Sequence, residues 1–242
     1  MISLLNKEIN LFLSSTTAYL VIGVFLLATS LFVWLMPNNI LEFGYANIDP
    51  LFAVAPWVFM FLIPAMTMRT FAEEQKTGTA ELLFTKPFTD FQIVWAKFLA
   101  NVLLVALALL PTLLYVATIY YLADPVGNID TGSIVGSYIG LMLLASSFVA
   151  MGLLASATTD NQIVAFVVAI ALCFVFYLAF ESIAQLLDFS GIANQIVSYL
   201  SINTHYLSLS KGVIDSRDVV YFTTLVGIFL YSTTTILGTR KW

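Results

Sequence analysis

Six long apolar segments dominate the chain, at residues 18–36, 51–68, 98–122, 133–155, 163–184 and 219–238. Each approaches the ~20 residues that a helix needs to cross a bilayer core. The intervals between them hold the turn formers: Pro37, Asp49-Pro50, Asp124-Pro125 with Gly127, and the run from Thr158 to Asn161. Pro56, Pro64 and Pro111 fall inside the second and third segments. Neighbouring groups can satisfy the carbonyls such prolines free, so kinked helices are expected there. The pattern predicts an all-α integral membrane protein of six transmembrane helices in one domain spanning 1–242.

Two further segments carry a helical period but are too short or too polar to span. In residues 1–15, Ile2, Leu5, Ile9 and Phe12 share one face, flanked by Leu4 and Leu11, and Ser3, Asn6, Lys7, Asn10 and Ser14 share the other. This predicts an amphipathic helix lying in the membrane interface. Residues 185–218 form a long connection in which Ile192, Ile196, Val197 and Leu200 recur at helical spacing. Short helices lying against the membrane face are expected there, as a structured segment before the sixth helix.

Composition agrees with this reading. The chain is 60% hydrophobic and 10% charged, with a mean hydropathy of +0.97. Soluble domains carry ~25% charged residues. Charge placement then orients the chain. With the N-terminus inside, seven basic residues lie on the inner side: Lys7, Arg69, Lys76, Lys86, Lys97, Arg240 and Lys241. Only Lys211 and Arg217 lie outside. By the positive-inside rule both termini are expected in the cytoplasm. The first apolar segment ends in Val33-Trp34-Leu35-Met36-Pro37, without a small-residue cleavage site, and reads as a retained helix.

Catalytic and metal-binding patterns are missing from the sequence. There is no GxxxxGK phosphate loop, no HExxH and no GxSxG. His205 is the only histidine and reads as a lone surface or interface residue. Cys173 sits in an apolar run and reads as a packing residue. Glu181, near the outer end of the fifth segment, reads as a carboxylate reaching the outer water layer. No basic stripe points to nucleic acid.

The most informative stretch is the inner loop 69–97, RTFAEEQKTGTAELLFTKPFTDFQIVWAK. Residues 69–76 continue from the second span in polar form. Gly78 stands between two threonines, and Ala80 to Phe84 form one short apolar patch around Glu81. Pro87 stops any helix and holds Lys86 extended. Thr89 with Gln92 has the spacing of a capping box for a helix running into the third span. The loop is thus expected to hold a short helix between two breaks. On these residues alone a solvated connector remains an alternative.

This stretch resembles the segment after the second span in ABC-2 type transporter permeases. The resemblance rests on Glu74, Gln75, Lys76, Gly78, Thr79, Glu81, Leu82, Leu83, Pro87 and Lys97. The basic pair usual in that family is weaker here, as Gln75-Lys76. Residues 207–222, LSLSKGVIDSRDVVYF, are similar more narrowly to the permeases of gliding-motility ABC transporters.

The resemblance implies a permease without an active site or cofactor of its own, ATP being bound by a partner. It implies two copies of an ABC ATPase subunit, a second permease, homologous or identical, and membrane lipid as partners, and no nucleic acid. It makes 69–97 a cytoplasmic coupling loop whose ATPase contacts are Glu73, Glu74, Gly78, Thr79, Glu81, Leu82, Leu83 and Pro87. A structural anchor of a motility or secretion complex, and a membrane-embedded enzyme, stay open as alternatives.

Overall fold

The computed structural model describes residues 2–37, 39–42, 46–79, 88–186 and 197–239. The described residues are almost wholly helical and contain no strand. Helix α1 (Ile2–Leu13) precedes the first span, α2 (Thr16–Trp34). The second span is α3 (Asp49–Thr67), continued by α4 (Arg69–Lys76). The third comprises α5 (Asp90–Leu109), a 3-10 turn (Leu110–Thr112) and α6 (Leu113–Leu122). The fourth is α7 (Thr131–Thr158). The fifth joins α8 (Gln162–Phe174), a π turn (Val175–Ala179) and α9 (Phe180–Leu186). A short helix, α10 (Ile202–Leu209), leads to the last span, α11 (Ser216–Thr239). All six spans have the length and apolarity to cross a membrane. The face holding α1 and α4 is termed the near face, and the face holding α10 the far face.

Local sequence explains the helix ends. Thr89 and Gln92 close the expected capping box, Gln92 N–H donating to Thr89 Oγ1 at 3.3 Å and Thr89 N–H to Gln92 Oε1 at 3.4 Å. Ser15, Asp130 and Asn161 cap α2, α7 and α8 through their side-chain oxygens. Pro111 sits in the 3-10 turn that interrupts the third span. Helix α3 runs through Pro56 and Pro64.

The bundle is organised around α7, of which 72% of the membrane window is buried, against 22–50% for the other spans. Its sequence is rich in Gly, Ala and Ser, which lets helices approach without a hydrophobic driving force. A methyl group at Gly152 would collide with the Thr67 hydroxyl of α3, and one at Gly140 would lie 2.5 Å from Leu209 Cβ of α10. Cys173 is fully buried, as a packing residue should be.

The segment around α10 is seated on the far face by polar contacts. Pro56 has no N–H for the carbonyl of Phe52, four residues back. Tyr206 Oη–H donates to that carbonyl at 2.7 Å. Ser201 donates to the π-turn carbonyl of Tyr177 at 3.0 Å, and Ser137 to the carbonyl of Ser210 at 2.8 Å. Glu181 accepts from Asn203 Nδ2 at 2.7 Å, so its carboxylate serves this docking as well. The helical period noted around Ile192 and Ile196 lies outside the described residues.

His205 corrects the sequence reading. It is buried, with Nδ1 2.7 Å from Asp218 Oδ1 and Nε2 3.0 Å from the Tyr199 carbonyl. A carbonyl only accepts, so Nε2 carries a hydrogen. Its ring stacks on Tyr221 at 4.0 Å. The partners come from positions 199, 218 and 221, and no local pattern in the sequence connects them.

Candidate functional site

The loop after the second span leaves and rejoins the bundle on the near face. Helix α4 continues α3 through Met68, whose N–H donates to Pro64 O at 2.9 Å. Its inward face is Thr70, Phe71 and Ala72, all buried, while Glu73 and Lys76 are exposed. At its end Thr77 N–H returns to Glu73 O at 3.0 Å, and Gly78 takes φ +70°. That left-handed conformation is open to glycine at little cost and ends the helix. Thr77 and Thr79 join hydroxyls at 2.9 Å over the turn. The chain re-enters at Thr89, the cap of α5.

Lys97, two turns into α5, is the centre of this region and is 1% exposed. Its ammonium donates to Glu74 Oε1 at 2.8 Å, to Thr70 O at 2.9 Å and to Glu8 Oε1 at 3.4 Å. An ammonium has three N–H groups, and all three find oxygen. The Phe71 ring lies beneath it, 5.1 Å to the centroid. Glu8, on α1, is itself 2% exposed. Lys7 adds a second cation, 3.1 Å from Glu8 Oε1 and 3.6 Å from Glu74 Oε1. Burial works to lower the Lys7 pKa, but attraction to Glu8 and Glu74 outweighs it, and the net shift is upward.

Two lysines and two glutamates thus balance charge, with Lys97 and Glu8 buried, Glu74 partly so and Lys7 half-exposed at the edge. A buried ion pair adds little net stability, yet removing one partner costs ~3–5 kcal/mol. The consequence is specificity of placement. Helices α1, α4 and α5 are locked to one another by a single ammonium.

A second clasp ties α4 to the central span. Ser156 Oγ, near the end of α7, accepts from Phe71 N–H at 3.0 Å and Ala72 N–H at 3.1 Å. It donates to Met68 O at 3.0 Å. Gln75 Nε2 reaches Ala157 O at 3.4 Å. Helix α4 begins where α3 ends, and these bonds satisfy backbone groups at that junction.

Of the residues singled out in the loop, Glu73, Gly78 and Thr79 are exposed. Glu74 is 20% exposed and turns its carboxylate toward Lys97. Glu81, Leu82, Leu83 and Pro87 lie outside the described residues. The sequence reading did not find Glu8, Thr70 or Ser156, and took Lys97 for a topology-setting charge. A signal existed: Lys97 is a lone cation in a long apolar run, and such a group needs a partner. Glu8 is the one acidic residue before Glu42. The buried side of α1 carries Leu4 and Glu8, with Leu5, Ile9 and Phe12 of the expected apolar face partly buried beside them and Ile2 exposed.

A family model described as ABC-2 family transporter protein matches residues 39–238. The chain belongs to this family. It is a multi-pass membrane protein, the membrane component of a transporter. Membership in the ABC-2 family implies pairing with an ABC ATPase subunit. Glu74, Lys97 and Ser156 lie within the matched residues, whereas Glu8 and the rest of α1 precede them. No curated protein matches the chain.

Proposed function

We propose that this chain is the permease subunit of an ABC transporter in a bacterial inner membrane, with both termini in the cytoplasm. ATP binds and is hydrolysed on two copies of a separate ATPase subunit beneath it. The end of α4 and the loop from it to α5 are the coupling element, seated in the ATPase through Glu73, Gly78, Thr79, Glu81, Leu82 and Leu83, with Glu74 anchoring the base on Lys97 and Pro87 at the turn. The observation that carries this reading is the burial of Lys97 between Glu74 and Glu8. A loop that receives a push needs a base that does not yield. Here the base is α1, α4 and α5 held by one ammonium, with Ser156 passing displacement to the central span. A flexible connector gains nothing from such a base.

The narrower similarity of residues 207–222 supports a role in gliding motility, with a different and larger permease as second subunit. The test is ATPase stimulation in reconstituted membranes. Alanine across Glu81–Leu83, or charge reversal at Glu73 and Glu81, is expected to abolish it. Undiminished stimulation by such variants would contradict the assignment.

A further inference from the structure

A second site lies on the far face, remote from the coupling loop and independent of the reading above. A pit of about 370 Å³ opens between the start of α3, the π turn of the fifth span and α10. That size falls among small-ligand sites, roughly 300–1,000 Å³. One wall is the stripe Asp49, Ala53 and Trp57 on α3. These residues follow at i, i+4 and i+8, so they share a face and Trp57 lies ~12 Å along the helix from Asp49. The other wall holds Leu207 of α10 and, just beyond it, Lys211. Tyr177 meets Trp57 edge-on at 5.9 Å.

The pit is charged at its rim and apolar below. Asp49 and Lys211 are both exposed and form no salt bridge, with each other or with any other described residue. The Asp49 carboxylate accepts from the neutral amide of Asn47 at 2.5 Å. Lys211 is held in place by its backbone: its N–H donates to Ser208 O at 3.2 Å, and Ser137 grips the preceding carbonyl. Gly212, at φ +80°, packs so closely on α7 that a methyl group there would collide with the backbone of Ser133. One opposite pair of unpartnered charges above an apolar, aromatic wall matches one kind of amphiphile. A purely anionic head would meet Asp49, with Glu181 of the fifth span close behind Asn203.

We propose that this pit binds a zwitterionic phospholipid of the far-face leaflet, its phosphate on Lys211, its ammonium on Asp49, and an acyl chain running down past Ala53 and Trp57. The full chain, purified in detergent, is to be titrated with phosphatidylethanolamine, phosphatidylglycerol or diacylglycerol and read by native mass spectrometry. Phosphatidylethanolamine should be retained at least five-fold over the other two, and Lys211→Met should remove that preference. Asp49→Asn should raise phosphatidylglycerol retention. Ala53→Trp, which fills the apolar wall and leaves both rim charges, should exclude all three lipids. Circular dichroism and monodispersity identify any variant that fails to fold. Equal retention of the three lipids, a preference for phosphatidylglycerol in the unaltered chain, or retention indifferent to both Lys211→Met and Ala53→Trp would overturn the proposal.

Discussion

Lys97 and Glu74, 23 residues apart in the chain, meet at 2.8 Å in a cluster where the lysine is 1% exposed. The contact places the end of the second span, through α4, against the beginning of the third. Because Glu8 accepts from the same ammonium, the amphipathic α1 is fixed to both. Helix α1 and the base of the loop are therefore tied to each other through Lys97.

Lys97→Met should leave Glu8 and Glu74 with only the half-exposed Lys7 as counter-charge. A loss of ~3–5 kcal/mol is expected, the usual cost of breaking a buried pair from one side. Adding Glu8→Gln to Lys97→Met should cost less than the sum of the two single changes. Thermal unfolding of all three variants in detergent provides the double-mutant cycle, and strict additivity would argue against the contact.

Ser156→Ala removes the acceptor of two buried amides and the donor to Met68 O. Leaving buried donors unmet costs ~1–3 kcal/mol. The effect should be local, with hydrogen exchange at Phe71 and Ala72 rising about ten-fold or more, since 1.4 kcal/mol is a factor of ten. Exchange in α10, at the other end of the bundle, should change little.

Tyr206→Phe strands the Phe52 carbonyl that Pro56 leaves open. A loss of ~1–3 kcal/mol is expected. Pro56→Ala restores an N–H four residues along, so the double variant should recover part of that loss. If Pro56→Ala gives no more relief in the Tyr206→Phe background than in the unaltered chain, the carbonyl is not the point of attachment.

Gly152→Ala puts a methyl group into the Thr67 side chain, fixed on the neighbouring span. Overpacking of this kind costs ~1–3 kcal/mol. Thr67→Ala removes the nearest atom and should relieve part of the cost, as unfolding midpoints of the single and double variants will report. Gly23, with open space around it, should accept alanine without penalty.

What the sequence disclosed follows the range of the interactions involved. The six spans, the Thr89 cap and the break at Gly78 rest on neighbours within one or two turns, and pattern alone exposes them. The Lys97 cluster joins positions 8, 74 and 97, and the His205 site joins 199, 205, 218 and 221. Such contacts exist only after the helices have packed. Tyr206 is intermediate. Pro56 announces a carbonyl in need of a donor, yet nothing local names the residue 154 positions away that supplies it.

We propose that the loop between α4 and α5 holds an ATPase. Gentle detergent purification of the chain from its native membrane, with mass spectrometry of what stays bound, tests it most directly. An ABC ATPase in near-equal amount is expected, retained by the unaltered chain and lost when Glu81, Leu82 and Leu83 are changed together. A monodisperse chain with no ATPase bound, or an ATPase held equally well by the altered loop, would contradict it.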